Sequence, residues 1–223
     1  MRGLFVTGTD TGVGKTEVAC ALLRAARARG VDAVGMKPAQ SGADPGVRSD
    51  AERLRDASDR VEPLEAVCPY QFAAPLAPAV AARLEGRTVS LESIVAGARA
   101  LANRHEAVLV EGAGGLLVPL SEGGTYADLA VALGLPVLVV ARAGLGTVNH
   151  TALTCEALAR RGLAVAGVVL NRTAPVDDPS VPHNAAEVER LTGTRVIATL
   201  PHEPDIVARE RTLGAILGRE VQF

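Results

Sequence analysis

The sequence contains no tryptophan, and its 223 residues include only three phenylalanines and two tyrosines. With hydrophobic residues at 48% and Ala, Val and Leu dominant, the core suits a close-packed parallel sheet better than a β-sandwich. Basic excess is also missing. A formal net charge of -2 leaves no surplus of cations to release counterions from nucleic acid, which excludes that partner class. Cysteine is scarce: Cys20, Cys68 and Cys155 lie far apart, form no CxxC pair and read as small buried hydrophobes in a reducing compartment. No apolar run approaches the ~20 residues of a membrane helix. No charge block, repeat or low-complexity tract marks a tail or a solenoid. The chain opens directly into an apolar strand and a glycine-rich loop, with no stretch suited to a signal peptide, so a cytoplasmic protein is expected.

What is present is an alternation of short apolar runs with helical periodicity. Strands are predicted at 3–7, 32–36, 107–110, 136–141, 165–170 and 195–200. Helices are predicted at 15–29, 50–57, 91–103, 126–133, 148–161 and 184–191. The stretch 39–49 reads as loop, and the proline-rich stretch 63–78 as mostly irregular. This alternation predicts one domain over 1–223: a doubly wound α/β fold with a mostly parallel sheet and helices on both faces.

Gly8-Thr9-Asp10-Thr11-Gly12-Val13-Gly14-Lys15-Thr16 stands between the first strand and the first helix, the context a phosphate-binding loop requires. Gly12 and Gly14 let backbone N–H groups curl around phosphate oxygens, and the helix N-terminus adds its positive dipole end. Lys15 supplies a cation for the β- and γ-phosphates of ATP, and Thr16 a hydroxyl for Mg2+. The loop departs from GxxxxGK[ST], because Thr9 stands where the first glycine belongs.

Glu111 closes the apolar run 107–110, where a carboxylate reaches Mg2+, and Gly112, Ala113 and Gly114 permit close approach of a ligand. Lys37 ends the second strand and faces the crevice where α/β folds bind ligands; the alternative is a snorkelling surface lysine. Asp50 or Asp44 could serve the metal, and Asp50 could equally begin a helix. Lys37→Ala is expected to cripple turnover and spare the fold.

These blocks, with Lys37-Pro38, Ser41-Gly42, Val110-Glu111-Gly112-Ala113-Gly114-Gly115 and Gly144-Leu145-Gly146-Thr147-Val148-Asn149-His150, resemble the dethiobiotin synthetase family in order and over nearly the whole length. The resemblance implies ATP- and Mg2+-dependent closure of a ureido ring from 7,8-diaminononanoate and CO2 or bicarbonate. It assigns Thr11, Lys15, Lys37 and Ser41 to the carbamate and the transferring phosphoryl group, and Thr16, Asp50 and Glu111 to the metal. It extends the nucleotide site to Val13, Glu17, Asn171, Arg172, Pro201, His202 and Glu203. It implies a homodimer in which Leu145, Gly146, Thr147 and Asn149 of one subunit hold the substrate carboxylate of the other. The plain alternative has Thr147 or Asn149 capping a helix. Gly12 stands where some members carry Glu, and Asn171-Arg172 replaces a common Asn-Asp pair.

Two rivals share the phosphate loop. A partitioning-type ATPase would carry a second lysine four residues before Gly14, where this chain has Asp10. A cobyrinate-type amide synthase would add a glutaminase domain with a cysteine nucleophile at a strand-to-helix elbow, and Cys155 lies inside a predicted helix.

Overall fold

The computed structural model describes residues 1–42, 46–175, 177–202, 208 and 212–215. In chain order the elements are β1 (Gly3–Gly8), α1 (Lys15–Arg27), β2 (Ala33–Met36), β3 (Ala39–Ser41), α2 (Asp50–Ala57) and α3 (Leu64–Val67). Then follow β4 (Tyr70–Phe72), α4 (Pro78–Leu84), α5 (Leu91–Ala102), β5 (Ala107–Gly115), β6 (Pro119–Ser121) and β7 (Gly124–Thr125). The last are α6 (Tyr126–Leu133), β8 (Val137–Arg142), α7 (Thr147–Ala159), β9 (Val165–Asn171), α8 (Val181–Thr192) and β10 (Val196–Leu200).

Six strands form one parallel sheet in the order β10-β9-β8-β1-β5-β2. The period-2 alternation of each strand divides its apolar side chains between two cores. Phe5, Val108, Val110, Val137 and Val139 face a cluster closed by residues of α5, α6 and α7. Leu4, Val6, Leu109, Leu138 and Val140 face a second cluster closed by α1 and α2. Burial on both faces explains why these strands read as continuous apolar runs.

All six expected sheet strands and all six expected helices are present, with ends shifted by a few residues. Strand β5 runs five residues beyond its apolar run, through Glu111 to Gly115. Helix α8 starts three residues early, with Pro182 in its first turn, where a missing N–H costs nothing. The stretch 39–49 is not all loop: Ala39–Ser41 forms β3, parallel to β4 from the proline-rich segment. Three-residue strands carry no readable period, so only their pairing reveals them. Helix α4 and the β6–β7 hairpin were likewise not anticipated. Because β1, β2 and β5 are parallel neighbours, Gly8, Lys37 and Glu111 emerge at the same edge of the sheet, and the site lies there.

Candidate active site

Helix α1 begins on Gly14 in the left-handed region, φ 92°, with no side chain capping its first N–H groups. A Cβ on Gly14 would lie 2.2 Å from Asn171 Nδ2, so both backbone angle and space demand glycine. Helices α2, α5 and α6 instead start on Ser49, Ser90 and Thr125, whose hydroxyls accept the orphan N–H groups. The uncapped start of α1 leaves its N–H donors and the positive end of its dipole to the loop's concave side.

Thr11, Gly12, Gly14, Lys15, Thr16 and Glu17 line one side of a cavity of about 670 Å3. Lys37, Ser41, Asp50, Ala113 and Gly114 line the rest of the predicted set. Val13 turns its side chain into the core, and its carbonyl accepts from Asn171 Nδ2 at 3.0 Å. Lys15 Nζ donates to the Asp10 carbonyl at 2.9 Å. Burial and then the neighbouring Lys37 push the Lys15 ammonium down to about 8.

Lys37 is no surface lysine. Its side chain is 3% exposed, and Nζ contacts Glu111 Oε1 at 2.6 Å, Asp50 Oδ2 at 2.9 Å and the Gly112 carbonyl at 3.3 Å. Burial opposes the Lys37 charge, but Glu111 and Asp50 override it and hold the ammonium above the ordinary lysine range. Burial likewise opposes the Asp50 charge; Lys37, with help from the Thr16 hydroxyl, outweighs it and keeps the carboxyl below its ordinary range. Thr16 Oγ1 donates to Glu111 Oε1 at 2.7 Å. Glu111 Oε2 is buried and has no hydrogen-bond partner among the described residues.

An orphaned carboxylate oxygen beside a threonine hydroxyl and a second carboxylate is an all-oxygen donor set, which fits a hard divalent cation. Among the described residues no group of three or more His, Cys, Asp or Glu could hold a metal ion by itself.

Not every predicted residue joins the cavity. Leu145, Gly146, Thr147 and Asn149 lie at the start of α7, outside it. Neither Thr147 nor Asn149 caps that helix: the cap is Gly146, φ 90°, and Thr147 is buried against Thr151 with their hydroxyls 3.4 Å apart. Sequence reasoning missed what holds this turn. Asp178 Oδ2 accepts from the Leu145 N–H at 2.8 Å, and Asn184 Nδ2 donates to the Ala143 carbonyl at 2.7 Å.

Asn171 and Arg172 leave the end of β9, where the Arg172 N–H bonds the Leu200 carbonyl at 3.0 Å, and Pro201 and His202 follow exposed after β10. Glu203 and Asp44 lie outside the described residues. Gln40, Arg53 and the segment 75–78 line the cavity without having been singled out. For the segment 75–78 the proline-rich sequence was the only signal, and Gln40 and Arg53 carried none.

A parallel sheet with a phosphate loop after its central strand defines a P-loop nucleotide-binding fold. Solved structures of that class superimpose: a ParA-family ATPase from Chlorobium tepidum gives a TM-score of 0.56 at 13% identity, over 96% of this chain and 89% of that one. A chain of the MinC:MinD cell division complex from Aquifex aeolicus gives 0.57 at 17% identity, over 97% and 88%. At such identities the likeness concerns the fold alone. A family model described as an AAA domain matches residues 2–210.

The ATP-dependent dethiobiotin synthetase BioD of Anaeromyxobacter dehalogenans is 78% identical over all 223 residues and the whole of both chains. The BioD of Bacillus licheniformis is 43% identical over 208 residues, covering 92% of this chain and 88% of the relative. This chain therefore belongs to the ATP-dependent dethiobiotin synthetase family.

Proposed function

We propose that this chain closes the ureido ring of dethiobiotin from 7,8-diaminononanoate, CO2 and ATP. Membership of a synthetase family makes it an ATP-dependent ligase. The observation that carries the mechanism is the buried Lys37 ammonium, set between two carboxylates and facing the Lys15 loop across one cavity.

CO2 adds to one neutral substrate amine, which releases a proton to give a carbamate anion. A carbamate oxygen then attacks the γ-phosphorus of ATP, releasing ADP and leaving a carbamic-phosphoric anhydride. The second amine attacks the carbonyl carbon and gives up a proton, the C–O bond to phosphate breaks, inorganic phosphate leaves, and the ring closes. The second step brings two anions together, so cations must shield their approach. We assign Lys15 to the phosphates and Lys37 to the carbamate, together with Thr11 and Ser41, which line the same cavity. Asp50 and Glu111 hold Lys37 charged and immobile, which places its positive charge before substrate arrives. Thr16, Asp50 and Glu111 would hold Mg2+, which when bound supplies further charge neutralisation at the phosphates. Around the nucleotide, Gly12, Val13, Gly14 and Glu17 would follow the phosphates, Gly112 to Gly114 would approach closely, and Asn171, Arg172, Pro201 and His202 would meet the base.

The substrate carboxylate is assigned to the start of α7 in a second subunit. Helix α7, like α1, begins on a left-handed glycine with no capping side chain; the Thr147 N–H bonds the Gly144 carbonyl, and the N–H groups of Val148 and Asn149 would meet an anion. Leu145 beside it is 82% exposed, and the proposed homodimer would cover it. No helix among the described residues is long and apolar enough to cross a membrane, and we place the reaction in the cytoplasm with its ATP.

The test is ADP release by the purified protein with Mg-ATP and bicarbonate, with and without 7,8-diaminononanoate, and mass spectrometry for the cyclic urea. Diamine-dependent release with that product is expected. Hydrolysis indifferent to the diamine would turn the reading to a regulatory ATPase.

A further inference from the structure

Gln40 occupies the centre of β3, and pairing with β4 opposite Gln71 sets the direction of its side chain. The residue is 9% exposed. Its Oε1 accepts from the backbone N–H of Ala51, the second residue of α2, at 2.9 Å. A backbone N–H can only donate, so the carboxamide has one possible orientation: oxygen toward α2, nitrogen away from it. Among the described residues Gln40 Nε2 makes no hydrogen bond. The residue forms part of the cavity wall with Lys37, Ser41 and Asp50. A nearly buried carboxamide on a cavity wall, with its oxygen committed to the backbone, keeps its N–H groups for an acceptor in the cavity.

We propose that Gln40 is a further substrate-contacting residue: Nε2 donates to the carbamate oxygen, while Oε1 anchors the start of α2 and with it Asp50. The inference rests on the ring-closing reading above and sharpens it. Before carboxylation, the reacting end of the diamine presents amines and no oxygen acceptor. Afterwards it presents two anionic oxygens that accept several hydrogen bonds. A donor fixed at this point therefore distinguishes the carboxylated substrate from the free diamine. A neutral amide does so without adding charge to a site whose lysines and carboxylates already hold one another.

The experiment is isothermal titration of 7,8-diaminononanoate into the full-length protein, in CO2-free buffer and in bicarbonate buffer. The parent protein is expected to bind more tightly with CO2. Gln40→Glu keeps an oxygen for Ala51 but replaces the donor by an anion; Gln40→Met keeps the volume and adds no charge. Within each variant the affinity in bicarbonate is compared with that in CO2-free buffer, and both variants are expected to lose at least tenfold of the CO2-dependent tightening.

Full retention of that gain in either variant overturns the proposal, as does its absence from a parent protein that turns over the diamine. Gln40→Met, which removes the acceptor of the Ala51 N–H, is expected to melt lower; in Gln40→Glu, which keeps that acceptor, a fall in melting temperature parallel to the loss marks a merely structural role and also overturns the proposal. A parent protein that releases no diamine-dependent ADP removes the ring-closing reading itself, and the proposal with it.

Discussion

Lys37 Nζ donates to Glu111 Oε1 across 2.6 Å, and the two side chains are 3% and 0% exposed. A pair so dry is at once a tool and a support. Lys37→Ala removes the cation and leaves Glu111 buried without compensation, which costs about 3–5 kcal/mol of stability. The expectation that the fold would be spared is thereby revised.

We therefore predict that Lys37→Ala lowers both the urea midpoint and, by about 100-fold or more, kcat. The double change Lys37→Met with Glu111→Gln is expected to recover most of the stability and none of the turnover. A stable, fully active Lys37→Ala protein would remove Lys37 from the mechanism.

The depressed Lys15 gives a pH dependence. Free protein loses the Lys15 proton near pH 8, whereas a bound polyphosphate favours the ammonium. From about pH 8 up toward the ordinary lysine range the complex therefore holds more protons than its components. ATP binding should take up protons there, and affinity should fall with rising pH by up to about tenfold per unit. Titration calorimetry at pH 8.5 in two buffers of different ionisation enthalpy reads the uptake directly. Identical heats would refute it.

Asn171 ties β9 to the phosphate loop through one buried hydrogen bond to the Val13 carbonyl. Asn171→Ala leaves that carbonyl unpaired, and we expect a loss of about 1–3 kcal/mol in denaturant unfolding together with weaker ATP binding. A variant unchanged in both would show the bond to be incidental.

Leu145 tests the second subunit. Leu145→Glu puts a charge where an apolar contact is proposed, so sedimentation should show a monomer that still binds ATP but no longer turns over the diamine. A dimeric, fully active variant would move the interface elsewhere.

Much of this is legible in the sequence. The apolar runs and helical spacing predicted every strand of the main sheet, because a parallel strand buried on both faces has to be apolar throughout. The phosphate loop was equally plain, since left-handed turns and close backbone approach leave glycine as the one suitable residue at Gly14. The illegible parts were short or contextual. Strand β3 has three residues, and it becomes a strand only when β4, some thirty residues on, lies beside it.

The sequence by itself determined the fold class, the phosphate loop and the charged residues at the strand ends, for these follow from local period and local chemistry. Only the tertiary structure decided what those charges do. That Lys37 bridges Glu111 and Asp50, that Asn171 reaches Val13 and that Gln40 faces Ala51 depend on contacts between residues up to 158 positions apart. Such contacts leave no local signature, because the parallel order of the strands, and not their spacing in the chain, brings the partners to one edge.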